Sequence, residues 1–215
     1  VRRVFQVRER RSRFGELIQI DGSVHDWLEG RGPKMTLIVF IDDATGRLTA
    51  LRFAPAETTR AYVETLRDHV LAHGVPLAFY SDRHGIFRVN VKELESGDGL
   101  TVLNRVTERL GIEQICATTP QAKGRVERVN ETLQDRLIKE MRLAGIQDMA
   151  SAQAFLPGYM ARHNQRFGVA PRRDENAHKP WHKSVDDLDA ALASHEPRTL
   201  SKALAFSAGG AIHCI

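Results

Sequence analysis

Met35–Asp42, MTLIVFID, limits what this chain can fold into more than any other stretch. The run is apolar apart from Thr36 and its closing aspartate, and the turn residues Asp-Ala-Thr-Gly follow at Asp43–Gly46. A segment so short and so bounded reads as a strand rather than a helix. Apolar side chains occur at both parities, so both faces must be covered. The chain therefore needs structure on each side of a sheet.

The flanking residues supply neighbours for that strand. GELIQIDGSVHDW (Gly15–Trp27) alternates enough for a half-buried strand with Asp21 near its end, and RLTALRF (Arg47–Phe53) reads as the return strand of a hairpin. Between Thr58 and His73 the period becomes helical: Tyr62, Leu66 and Val70 fall four residues apart, Thr58 or Thr59 can cap the start, and Gly74 with Pro76 ends the element. PLAFYSD is a short buried strand delivering Asp82 at its C-terminal end. After the polar excursion NVKELESGDGL, a helix in TVLNRVTERLG and a strand in IEQICAT are expected. The order is three strands, helix, strand, helix, strand, long helix. It predicts an α/β layer with an antiparallel start and parallel later strands.

The long helix should run from about Lys123 to Leu143. Val126, Val129, Leu133, Leu137 and Met141 form its inward stripe, while Glu127, Asn130, Glu131 and Gln134 share an adjacent polar face. DMASAQAFLPGYMARHNQRFG reads as a further helix, broken or kinked at Pro157. From Ala170 onward Pro, Arg, His and Asp predict an extended linker, until KALAFSAGGAIHCI reads as one strand, a turn and the beginning of another. The expected organisation is a basic arm (1–14), a catalytic core (15–168), an extended linker (169–198) and the truncated start of a small β module (199–215). With 215 residues, 42% of them hydrophobic, the chain can bury one substantial core and still carry such appendages.

Charge is unevenly placed. Residues 1–13 hold six arginines and one glutamate, so the arm carries +5 of a total of +4 and the rest of the chain carries −1. An arginine-rich, acid-poor arm suits phosphate, because each contact releases counterions condensed on nucleic acid; a solvated linker or the end of an upstream helix reads the same residues equally well. Cys116 and Cys214 have no ligand spacing, which argues against structural zinc or a disulfide framework and fits a reducing cytosol. No apolar run reaches membrane-spanning length.

Three carboxylates sit where an α/β sheet exposes its chemistry: Asp21, Asp82 and, in the first turns of the long helix, Glu127. Clustered acids repel one another unless a cation neutralises them, and hard oxygen donors select Mg²⁺ or Mn²⁺. Lys123, Arg125 and Arg128 surround Glu127 and suit a polyanion. Each acid alone has a plainer reading: a strand-terminal aspartate caps turns, and a glutamate early in a helix complements the macrodipole. Asp42 and Asp43 are assigned to the hairpin turn rather than to metal. His25, His69, His73, His84 and His163 form no ligand motif and are expected at the surface or in packing, with His25 and His84, near the acids, as the possible exceptions.

QIDGS, YSDRHGIF and AKGRVERVN resemble the three acid-bearing blocks of the DDE integrase and transposase superfamily, and DGSVHDWLEGRGP, IDDATG and PQAKGRVERVNETLQDRL are similar to bacterial insertion-sequence transposases of the ISNCY type. The resemblance implies an RNase H-like fold, a mixed five-stranded sheet with helices on both faces. It puts the catalytic, metal-holding triad on Asp21, Asp82 and Glu127 with two Mg²⁺ or Mn²⁺ ions. It also implies DNA cleavage and strand transfer, with DNA contacts from Arg2, Arg3, Arg10, Arg11, Lys123, Arg125, Arg128, Asn130, Glu131 and Gln134. A homodimer or higher oligomer on DNA, in the bacterial cytoplasm, would follow. Where the superfamily commonly has Asp-Asn-Gly, this chain has Asp82-Arg83-His84-Gly85. The rival expectations are a non-catalytic DNA-binding remnant and a nuclease without strand transfer.

Overall fold

The computed structural model describes residues 9–81, 101–116, 124–195, 201–202, 205–208 and 211–214. A five-stranded sheet in the order β3-β2-β1-β4-β5 forms its middle layer. Its strands are β1 (Ile18–His25), β2 (Met35–Asp42), β3 (Leu48–Ala54), β4 (Ala78–Ser81) and β5 (Glu113–Cys116). β2 pairs antiparallel with both β1 and β3, whereas β4 runs parallel to β1 and to β5. Every residue of β2 is buried, as its unbroken apolar run demands.

Side chains of alternate parity feed two separate cores. On one face Ile18, Ile20, Ile38 and Phe40 pack against α1 (Thr59–His73), α2 (Val102–Leu110) and α5 (Val185–Leu192), through residues including Leu66, Val106 and Leu188. On the other, Leu37, Val39, Leu51 and Phe53 meet α3 (Gly124–Leu143) and α4 (Met149–Phe167), through Leu133, Leu137, Met141 and Leu156. Local chemistry sets the helix starts. Thr58 Oγ1 accepts from the Ala61 N–H at 3.2 Å, Thr101 Oγ1 from Asn104 at 3.2 Å, and Asp148 Oδ1 from Ser151 at 2.8 Å.

One expectation is narrowed and one needs correcting. Of the two readings at Pro157 a break is excluded, because α4 is a single continuous helix through it. Pro157 is exposed, and the proline removes one N–H from a helix that Ala152, Leu156, Tyr159 and His163 hold by its buried side. The segment after Phe167 is also not a plain linker. Main-chain hydrogen bonds run from Val169 to Thr45, Arg173 to Ser12 and Ala177 to Phe14, and Val75 and Lys179 exchange a pair at 2.8 Å. α5 then forms on a capping box between Ser184 and Asp187 and buries Leu188 and Leu192. Beyond it, β6 (Ala205–Ala208) and β7 (Ala211–Cys214) pair antiparallel as a separate hairpin.

Candidate active site

β1 lies at the centre of the sheet, and its side chains at 19, 21 and 23 point to the α3–α4 face. Asp21 is half-buried there. Asn130 Nδ2 donates to Asp21 Oδ2 at 2.7 Å, and one turn further along α3 Gln134 Nε2 donates to Ser23 Oγ at 3.1 Å. Two strand residues of one parity lie about 6.6 Å apart and two helix residues four apart about 6 Å, so these paired contacts lay α3 along β1 in register. Glu127 stands one turn before Asn130 on the same helix, exposed and in the first turn. Its i, i+3 relation to Asn130 puts it on the flank of the helix that reaches Asp21.

The oxygens available on this stretch of β1 and α3 are hard donors: the carboxylates of Asp21 and Glu127, and Asn130 Oδ1, which is buried with no hydrogen-bond partner among the described residues. That set fits Mg²⁺ or Mn²⁺ rather than a thiophilic metal. Two such acids do not make a complete cage, and among the described residues no group of three His, Cys, Asp or Glu side chains could hold a metal. Asp82, the third expected ligand, lies outside the described residues, as do Lys123, Arg2, Arg3, His84 and the side chain of Arg125.

β1 is also pressed from its opposite face. The Glu57 carboxylate lies over Gly22, where an added Cβ would come within 2.5 Å of the carboxyl carbon, and Tyr62 Oη donates to Glu57 Oε1 at 2.7 Å. Position 22 therefore admits only glycine while Glu57 keeps its place. This contact, one residue from Asp21, was hidden from sequence reasoning; only the position of Glu57 beside the Thr58 cap hinted at a fixed orientation.

Asp42 and Asp43 belong to the hairpin turn, as expected, and both are fully buried. Asp42 accepts from Gly15 N, Thr45 N and Thr45 Oγ1; Asp43 accepts from Gln19 Nε2 at 2.6 Å and Arg11 N at 2.8 Å. Burial pushes the Asp42 carboxyl above its ordinary range, against the pull of those hydrogen bonds. The two acids thus tie the arm beneath the turn. Arg11 makes a 3.8 Å ion pair with Glu16, and Arg10 Nη1 donates to Ala44 O at 3.2 Å. Gly46, at φ 69°, closes the turn, and a Cβ there would meet the Arg10 guanidinium at 3.4 Å.

Arg10 and the exposed Arg128 line one cleft, together with residues of α4 that no sequence motif marked, His163 and Phe167. Glu131 is exposed, whereas Asn130 and Gln134, expected to face DNA, each commit an amide donor to β1. His69, His73 and His178 cluster away from this site, with His69 Nε2 and His178 Nε2 at 3.1 Å. His25 packs edge-on to Trp27.

No family model matches the chain. It is 49% identical over 207 residues to the y4bF protein of Sinorhizobium fredii (strain NBRC 101917 / NGR234), which carries the name of a transposase, covering 96% of this chain and 45% of that protein. It is 38% identical over 171 residues to the transposase for insertion sequence IS1202 of Streptococcus pneumoniae, covering 78% of this chain and 36% of the relative. The chain thus spans less than half the length of either. Among solved structures, the simian T-cell lymphotropic virus intasome in complex with PP2A regulatory subunit B56 gamma superposes with a TM-score of 0.56 at 16% identity, over 97% of this chain and 70% of that one. The HTLV-2 integrase catalytic core domain in complex with magnesium gives 0.53 at 15% identity, over 74% and 90%.

Proposed function

The chain belongs to the DDE transposase and integrase superfamily, and from that membership we propose that it cuts the 3′ end of an insertion sequence and joins it to target DNA using two divalent ions, Mg²⁺ or Mn²⁺, held by Asp21, Asp82 and Glu127. The observation that carries this reading is the 2.7 Å hydrogen bond from Asn130 to Asp21, which ties the first acid-bearing block to the third across 109 positions of sequence. β4, which carries the first residues of the middle block, runs beside β1, Phe79 pairing with Ile18 and Tyr80 with Gln19, and Asp82 is the next residue in sequence after Ser81.

The ions would activate the attacking oxygen and stabilise the leaving one in an in-line displacement at phosphorus. The chain's own task is to hold and orient. Asn130 fixes the Asp21 carboxylate, α3 presents Glu127 from a turn packed on the sheet, and Arg128 with Lys123, Arg125 and the arm would neutralise the phosphate chain. Water attacks first and leaves a 3′-hydroxyl, which then attacks a target phosphodiester; no side chain need become covalently bound. Two ends brought together imply at least a homodimer on DNA.

Nicking of plasmid DNA by the purified chain in Mg²⁺ tests the proposal. Asp21→Asn and Asp82→Asn should each lower the rate by more than about a hundredfold, the upper cost of losing a mere supporting contact at a metal site, with DNA binding retained. Undiminished nicking by Asp82→Asn would remove that residue from the mechanism. Binding without nicking by the wild type would favour a non-catalytic remnant, and failure to join pre-cut ends would leave a nuclease.

A further inference from the structure

The seam between α3 and α4 changes character along its length. In one part Leu133, Leu137, Met141 and Leu156 pack as core. Beside that core Tyr159, Arg162, His163 and Arg166 recur at i, i+3, i+4 and i+7, one stripe of α4, and share a cleft of about 150 Å³ with Arg136 and Glu140, one turn apart on α3. Arg162 donates to Glu140 at 2.7 Å, and the nearby Asp135 is taken by Lys139. Arg136 and Arg166 make no ion pair with a carboxylate among the described residues; their guanidinium groups lie 5.3 and 5.5 Å from the Phe167 centroid. Three guanidinium groups against one carboxylate leave this lining at +2.

Two polar atoms of the same lining are buried with nothing to bond. Tyr159 Oη and His163 Nδ1 have no hydrogen-bond partner among the described residues, and the two residues are only 2% and 5% exposed. Burial, with Glu140 adding to it, pushes the Tyr159 hydroxyl up to about 12, so it keeps its proton and can donate. Burial, helped by Arg136, lowers His163 to about 4, which leaves a neutral ring with one N–H. A buried hydroxyl without a partner costs stability, and this one lies among cations. An oxyanion with several acceptor atoms satisfies both at once, and phosphate is such a group. Stacking on Phe167 does not compete, because a surface cation–π contact is weaker than a charge-assisted hydrogen bond. The cleft has about the volume of five waters, which admits a phosphate group and excludes a base pair.

We propose that the cleft between α3 and α4 holds one backbone phosphate of bound DNA, gripped by Arg136 and Arg166 and accepting a hydrogen bond from Tyr159 Oη. This rests on the reading of the chain as a DNA-processing enzyme and adds an anchor for the strand away from the candidate acids. Arg136 is nine residues beyond Glu127 on α3, about 13 Å along the helix axis.

The test is binding of the full chain to a DNA duplex in EDTA, so that catalysis plays no part, followed by fluorescence anisotropy over a range of salt concentrations. The double variant Arg136→Gln/Arg166→Gln should flatten the plot of log Kd against log salt by about 1, the share of a single phosphate. A flattening of about 2 would mean two separate surface contacts and overturn the shared site. Tyr159→Phe changes no charge. It should leave the slope as it was and weaken binding about tenfold, while the thermal midpoint of the free protein holds or rises, because a buried unpartnered hydroxyl has been removed. Unchanged affinity in Tyr159→Phe, or a midpoint that falls, overturns the site. Midpoints in inorganic phosphate and in chloride, at equal ionic strength, separate the sources of the anion. If phosphate raises the midpoint of the wild type but not of the double variant, and both bind DNA alike, the cleft takes a free anion and the assignment to DNA is overturned. A wild type that binds DNA no better than these variants overturns this inference alone; one that binds no DNA overturns the functional reading as well.

Discussion

The two faces of the sheet bury comparable apolar cores but treat polar groups differently. On the α1–α5 face charge is matched: Arg52 pairs with Glu64 and Asp68, and Arg67 with Asp189. Even the buried histidines there form a chain, because Asn176 Oδ1 accepts from His178 Nδ1, leaving His178 Nε2 to accept from His69 Nε2. Among the described residues each face keeps buried polar atoms without a hydrogen-bond partner: Asn130 Oδ1, Tyr159 Oη and His163 Nδ1 on the α3–α4 face, Arg52 Nε, His69 Nδ1 and Asn104 Oδ1 on the other. What sets the α3–α4 face apart is the place of one of them, since Asn130 Oδ1 belongs to the side chain that donates to Asp21. Unsatisfied polar atoms cost stability, and one beside a candidate acid is where a ligand would offset that cost.

If both cores hold the fold equally, Leu133→Ala and Leu66→Ala, each fully buried, should each destabilise by about 2–5 kcal/mol in denaturant titrations. A cost confined to one of them would break the symmetry. The acid limb sharpens the contrast further. Burial, with the neighbouring His73 adding to it, lowers His178 to about 4 from an ordinary 6.5. The unfolded chain therefore takes up that proton first, so stability is full above pH 6.5 and falls as pH drops towards 4, by about 3 kcal/mol for this group. His178→Gln should flatten that limb in a plot of denaturation midpoint against pH.

Asn130→Ala should lower Mg²⁺-dependent nicking about 10–100-fold with little change in DNA affinity, the signature of a residue that orients a ligand. An equal loss of DNA affinity would return Asn130 to the DNA-contacting role expected from its helix face. The smallest effect, about 1–3 kcal/mol in thermal or denaturant stability, is expected for Gly22→Ala, which must displace the Glu57 carboxylate. Glu57→Ala in the same chain should recover most of it, and failure to do so would mean that the backbone at Gly22 is the constraint.

Much of this fold was legible because its signals are local. The unbroken MTLIVFID run, the four-residue spacing in α1 and the stripe on α3 all appear as read. α5 had signals too, a serine three residues before an aspartate and leucines at 188 and 192, but they sat among residues that suggested a linker. What stayed hidden depends on pairing between distant segments. Nothing near His69 announces His178, and nothing near Asp42 announces the Gly15 N–H that it holds. Asp21 and Glu127 were legible as candidates only, since acids at strand ends and helix starts have few uses together. The inward turn of Asn130 and Gln134 was not, because a helix pattern fixes which residues share a flank but not which strand that flank meets.

α3 serves cohesion and, on the proposed function, chemistry: Leu133, Leu137 and Met141 are fully buried on the helix that carries Glu127. On that reading heat-sensitive variants should arise at these inward positions, nicking DNA when cool and losing the activity when warmed, with every acid intact.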